Sequence, residues 1–185
     1  TYETDRATFE RAVKRMEGRF RELEAHLTRF RPDSDIGRLN AAAGRGPVAI
    51  HGDTLQVLLK AREVAQASQR AFDVTVVPLI QLWKTAEREG REPSEAERAA
   101  ACSRVDSARL ELDPQAVTAR LPEGMAVDLG GIGQGLFADE GVRILRDHGI
   151  RRGLVNASGE VAVYDDRPAP QPFQIGILDP RRDAP

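Results

Sequence analysis

The sequence predicts an α+β fold, with a long N-terminal helix and further helices packed on a mixed, largely antiparallel sheet. Three observations carry this. Apolar residues near the start recur at helical spacing, and later β-branched segments are joined by turns too short for crossover helices. Helices and strands also fail to alternate as they do in a repeated β-α-β array. A chain of 185 residues is long enough for one continuous domain or a tightly joined pair.

From Phe9 the apolar positions are Phe9, Val13, Met16, Phe20, Leu23 and Leu27, steps of four and three that put them on one stripe of a helix. Asp5 can cap it, and it should end before Pro32, where Asp33-Ser34-Asp35 supplies turn chemistry. The stripe reads as a core face or as a coiled-coil seam. Ile36 to Asn40 reads as loop or a single helical turn, since Gly44, Gly46 and Pro47 follow closely. Asp53 can cap a second helix running to about Gln69, with Leu55, Leu58, Leu59 and Val64 inward.

Ala71 to Val77 has β-branched residues at strand density, and Pro78 fits the first turn of a helix through Trp83 to Glu89, so a strand or extended loop feeds that helix. Ser94 and Glu97 have capping-box spacing for a short helix through Ser103, within a solvated stretch from Glu87 to Arg98. Leu110–Leu112 and Val117–Leu121 flank Asp113-Pro114 as a hairpin, and Met125 to Leu129 reads as a buried strand. A helix over Leu136–His148 follows, with Phe137, Val142 and Leu145 inward and Gly149 placed to stop it in the left-handed conformation. Leu154–Asn156, Val161–Tyr164 and Phe173–Leu178 supply three more strands, the first two joined at Ala157-Ser158-Gly159.

Composition excludes several functions. With 41% hydrophobic and 30% charged residues the chain is too apolar to be disordered. Its net charge of −2 comes from 27 basic and 29 acidic residues without like-charge blocks, and aromatics are only 5%, so a nucleic-acid surface is not expected. No apolar run approaches the roughly 20 residues of a membrane span, and no signal-like segment follows Thr1. Lacking an initiator Met, the chain is expected to have been processed or trimmed. The single Cys102 cannot close an internal disulfide and reads as a small buried helix residue.

The densest chemical signal is Asp128-Leu129-Gly130-Gly131-Ile132-Gly133-Gln134-Gly135, between a predicted strand and a predicted helix. Glycines let the backbone approach a ligand and present N–H groups at a helix start, which suits a phosphate; the alternative is a tight strand-to-helix turn. A dinucleotide fingerprint can be laid on Gly133 to Ala138 with Glu160 as the ribose acid, but helices come first here and hairpins follow. His26, His51 and His148 are scattered, without a second His or Cys at ligand spacing, and Ser158 is not in a nucleophile elbow. Asp73 and Asp128 stand at the edges of apolar segments, where an unpaired carboxylate is costly; each reads as a ligand contact or a turn cap.

Taken in order, Ser34–Asn40, Ala71–Leu79 with Trp83, and Val127–Gly135 resemble the FAD:protein FMN transferase family (ApbE, once called thiamine biosynthesis lipoproteins). Leu154–Gly159 and Ile175–Pro180 resemble its next two motifs. The resemblance runs from about Thr1 to Pro180 and covers about the first two thirds of a complete family domain. It implies a T-fold-like architecture, FAD as substrate, Mg²⁺, and transfer of FMN onto a threonine of a target flavoprotein with release of AMP. Some relatives instead hydrolyse FAD to FMN and AMP, and a non-catalytic FAD-binding module is a further reading.

By the same resemblance, Phe30 offers an aromatic face to the nucleotide, Ala71, Phe72 and Asp73 line the FAD site, and Asp128 accepts a hydrogen bond from it. Gly131 supplies a backbone carbonyl to Mg²⁺, and Gln134 replaces a contact that is commonly Lys, removing a positive charge beside a phosphate. No residue is assigned as catalytic. The family's Met-Gly-Thr segment is expected before Thr1, and its remaining metal ligands in an Asp-Ala-Thr type motif after Pro185. The chain alone is therefore expected to bind FAD weakly and to be catalytically poor. The resemblance also implies a periplasmic protein with a possible lipid anchor outside this chain.

Overall fold

Asp5 caps the first helix, its Oδ1 accepting from the Thr8 N–H at 2.9 Å, and α1 then runs Arg6–Leu27. The computed structural model describes residues 5–177. The described residues divide into two units, one of residues 17–137 and the other of residues 5–16 with 138–177. Among the described residues no helix is long and apolar enough to cross a membrane.

The larger unit takes in the second half of α1, from Glu17. Leu23 and Leu27 join Ile36, Leu39, Leu58 and Val127 in a buried cluster, and each such side chain contributes about 1.5–3 kcal/mol by leaving water. Where loop or a single turn was expected, α2 spans Asp35–Ala41. Ser34 makes it possible: its Oγ accepts from the Gly37 N–H at 2.9 Å, while Ile36 and Leu39 are fully buried. The next helix, α3 (Gly52–Ala67), is capped by His51 rather than Asp53. The His51 ring accepts from the Asp53 N–H, and the Asp53 carboxylate turns instead to Arg19 at 2.7 Å.

Residues 71–76 form a loop, not a strand, the second of the two expected readings. Asp73 is the reason. Its Oδ1 accepts from the Thr75 N–H and Oγ–H, and its Oδ2 accepts from the Ser107 N–H at 2.8 Å, so side chain competes with ladder. Met125 to Leu129 is likewise extended but not a strand. The Asn40 amide brackets Val127, taking its N–H at 2.7 Å and donating to its carbonyl at 2.9 Å. The Asp128 N–H reaches the Val74 carbonyl at 2.8 Å, and a single parallel bridge links Val76 to Ala126. These partners satisfy the backbone without a sheet.

Helix α4 (Val77–Arg88) has Pro78 in its first turn, and α5 (Glu95–Cys102) has the expected capping box of Ser94 and Glu97. Cys102 is exposed, against expectation: it ends the helix one position past the buried Ala101. Strands β1 (Val48–Ala49), β2 (Glu111–Asp113) and β3 (Thr118–Arg120) form an antiparallel sheet in the order β1-β3-β2. The β2–β3 hairpin is the one read from the sequence; β1 was not foreseen.

In the smaller unit, the later part of α6 (Gly133–Asp147) buries Val142, Ile144 and Leu145, and Gly149 stops it with φ of 75°. Strands β4 (Arg152–Ala157) and β5 (Glu160–Asp165) form an antiparallel hairpin. The buried Tyr164 donates its hydroxyl to the Ile150 carbonyl at 2.7 Å. Residues 173–177 make no strand, and Leu178 lies outside the described residues; Phe173 instead stacks under the Arg152 guanidinium at 4.1 Å. The fold is α+β with antiparallel pairing as expected, and among the described residues the strands form two sheets, one of three strands and one of two.

Candidate active site

Helix α1 ends at Leu27, and the residues after it turn toward the glycine segment that opens α6. Arg29 Nε donates to Asp128 Oδ2 at 2.6 Å, tying two positions 99 residues apart in sequence. The same guanidinium lies 4.3 Å from the centre of the Phe30 ring, a cation–π contact. The other oxygen of Asp128 accepts from the Gly130 N–H at 2.8 Å. Together they bound a cleft of about 300 Å³, at the lower end for small-molecule sites, lined also by Glu24, Gly133, Gln134 and Phe137.

The glycines of this segment are not explained by turn geometry. None of Gly130, Gly131, Gly133 and Gly135 has a positive φ. A Cβ on Gly131 would meet the Phe72 ring at 3.2 Å and one on Gly130 the Asp128 carboxylate at 3.1 Å, close approaches that account for these two glycines. Gly135 has open space around it, and Gly133 only an ordinary contact, although both sit in the first turn of a helix, where glycine forms helix less readily than alanine. The helix start is therefore kept bare at a cost that packing does not require.

Of the residues singled out from sequence, Phe30, Asp128 and Gln134 converge on this cleft. Phe30 is 78% exposed, so it is no helix-end core residue. Phe72 touches the glycine segment at Gly131 without lining the cleft, and Ala71 is exposed. Asp73 faces elsewhere, its carboxylate fully occupied by Thr75 and Ser107. Burial would raise its pKa, but those hydrogen bonds outweigh burial and hold it below the ordinary carboxylate value. Glu160, the acid of the dinucleotide alternative, lies at the exposed start of β5.

The carbonyl of Gly131 is the single oxygen assigned to Mg²⁺. Among the described residues no three His, Cys, Asp or Glu side chains converge as a metal site, and the nearby Asp128 is already bound to Arg29. A hard cation that takes several oxygen ligands does not fit this set alone.

Arg29 was missed from sequence, although an arginine beside an aromatic residue at a helix end is the signal that marks it. The histidines also differ from expectation. His26 and His51 stack with ring centres 4.4 Å apart and planes 13° from parallel, each beside a carboxylate, Asp35 and Asp53 respectively. Burial pushes Asp35 toward protonation, but donors from Thr54, the His51 backbone and Arg38, with His26 nearby, hold its pKa below the ordinary value. This cluster fastens α2 to α3. A larger groove of about 910 Å³ lies over the β2–β3 hairpin, but it contains no glycine segment and none of the residues expected to bind nucleotide.

The ApbE family model matches residues 1–185. An FAD:protein FMN transferase of Klebsiella pneumoniae is 28% identical over 159 residues, covering 85% of this chain and 48% of that protein. The solved flavin transferase ApbE of Vibrio cholerae, in a mutant form, superposes with a TM-score of 0.72 at 26% identity, over 87% of this chain and 52% of that one. The ApbE protein of Thermotoga maritima gives a TM-score of 0.81 over 95% of this chain and 57% of that one; at 24% identity this is a likeness of fold. The chain spans about half the length of the curated relatives it matches.

Proposed function

Because the chain belongs to the ApbE family, we propose that it binds FAD in the Arg29–Asp128 cleft and serves transfer of FMN to a threonine of a target flavoprotein. The observation that carries this reading is the convergence of Phe30, Asp128 and Gln134 on a helix start left bare by glycine. An exposed aromatic ring suits the flat face of a flavin or adenine, a carboxylate suits hydroxyl or ring N–H donors, and a bare helix start suits phosphate.

The reaction forms a bond from the threonine oxygen to the phosphorus of the FMN half and breaks the bridging P–O bond. AMP leaves with the bonding pair, and the hydroxyl proton passes to a base. What the residues of this cleft contribute is placement: the ring fixes the orientation of the nucleotide, and the glycine turn holds the pyrophosphate where in-line attack is open. We expect the reaction to require Mg²⁺. A periplasmic location with a lipid anchor belongs to the same proposal, and cell fractionation tests it.

The deciding experiment is a titration of the chain with FAD, with and without Mg²⁺, followed by flavin fluorescence, with AMP assayed in the same samples. Saturable binding that Asp128→Ala abolishes is the expected result. Absence of binding by the chain, and by a longer chain matching the full length of the relatives, would sink the proposal. AMP release without any acceptor protein would favour an FAD pyrophosphatase instead.

A further inference from the structure

Arg29 is the one basic side chain among the residues that line the cleft, where Glu24 and Asp128 are acidic and Gln134 is neutral. Its Nε is spent on Asp128 at 2.6 Å, and its guanidinium is stacked on Phe30 at 4.3 Å. Among the described residues its terminal Nη1 and Nη2 make no hydrogen bond, although the side chain is only 18% exposed. A planar fork held along one edge and across one face, with its outer donors unspent, is preorganised for a bidentate oxyanion.

We propose that Arg29 is the phosphate-binding residue of this site, its two outer nitrogens receiving the pyrophosphate of the nucleotide while Asp128 and Phe30 hold the guanidinium in place. This rests on the reading of the cleft as an FAD site. It also assigns Asp128 a second role, that of orienting Arg29. Without Arg29 the cleft would present two carboxylates and no cation to a phosphate, so among the lining residues the guanidinium is the one positive charge that offsets them.

The test compares the wild-type chain, Arg29→Gln, Arg29→Lys and Arg29→Gln with Gln134→Lys, each checked for folding by circular dichroism. Each is titrated with FAD and separately with ADP over a series of salt concentrations. Arg29→Gln should lower both affinities about ten- to a hundredfold, the range set by a hydrogen bond to a charged group. Its affinity should also depend less on salt than that of the wild type. Arg29→Lys should lose less, and a lysine at position 134 should regain part of the loss, because a point charge in the same cleft replaces part of the field.

A residue that merely props Asp128 would lower affinity without changing the salt dependence, and charge at position 134 would not rescue it; that result overturns the proposal, as does wild-type affinity in Arg29→Gln. Wild-type binding of ADP but not FAD would leave Arg29 as a phosphate site and remove the flavin reading. Binding of neither would overturn both.

Discussion

Two neighbouring loops, residues 71–76 and residues 126–131, are joined by the Asp128–Val74 backbone bond and the Val76–Ala126 bridge. Both carry an aspartate at the edge of an apolar segment, yet they use it differently. Asp73 spends both oxygens on protein donors, from Thr75 and from the Ser107 backbone. Asp128 spends one on Gly130 and the other on Arg29, a side chain that itself lines a cleft. A carboxylate closed within the protein is scaffold. One that holds a guanidinium at a cleft wall is available to a ligand's chemistry.

The largest expected effect is on the scaffold side. Asp73→Ala leaves the N–H groups of Thr75 and Ser107, both residues buried, without acceptors. We expect a loss of about 2–4 kcal/mol in urea unfolding. At temperatures where the variant is folded, FAD affinity should stay within about threefold of wild type, a window well inside one tenfold step of 1.4 kcal/mol. A folded Asp73→Ala chain that cannot bind FAD would erase the distinction between the two loops.

Asp73 also gives the comparison a pH signature. Its folded pKa is depressed below the ordinary carboxylate value, so protons bind more tightly to the unfolded chain. Its stabilisation is therefore present above about pH 5 and lost as pH falls below roughly 4. Asp73→Asn should flatten the acid limb of a stability–pH curve while lowering stability at neutral pH. An acid limb as steep as that of wild type would mean that Asp73 is not held by the donors described.

On the ligand side the order of effects reverses. Asp128→Asn keeps an acceptor for the Gly130 N–H but removes the charge that anchors Arg29. Unfolding stability should change by about 1 kcal/mol, as for a pair that is partly exposed, while FAD affinity should fall about tenfold. A variant that loses stability but binds FAD normally would place Asp128 with Asp73 as scaffold.

How much of this was legible in the sequence depends on whether local chemistry decided the outcome. The amphipathic stripe of α1, the Ser94–Glu97 box, the hairpin around Asp113 and the stop at Gly149 are set by residues within a few positions of one another, and all appear as read. The expected strand at 125–129 is absent, and of the two readings of 71–77 the loop is the one formed, because their partners are distant side chains and short bridges: Asn40 takes the backbone of Val127, and Asp73 folds its own loop onto Ser107. β-Branched density records a preference for extended backbone, not the presence of a sheet. The site was legible where a residue stands next to its motif, as with Asp128 and Gln134. The pairing of Arg29 with Asp128 and the stacking of His26 on His51 were not, because contacts across 99 and 25 positions leave no spacing to read; for Arg29 the one local signal is the aromatic residue beside it.

Phe30 gives the smallest effect and the cleanest separation. At 78% exposure its ring contributes little to the core, so Phe30→Ala should leave unfolding stability within about 0.5 kcal/mol. Among the described residues its ring contact is the cation–π stack with Arg29, and the ring stands in the lining of the cleft. If it stacks on the nucleotide, FAD affinity should fall about two- to tenfold, and Phe30→Trp should restore it, since a broader ring keeps the stacking face. Unchanged affinity with reduced stability would make Phe30 part of the scaffold, and the cleft would then depend on Arg29 and Asp128 without an aromatic wall.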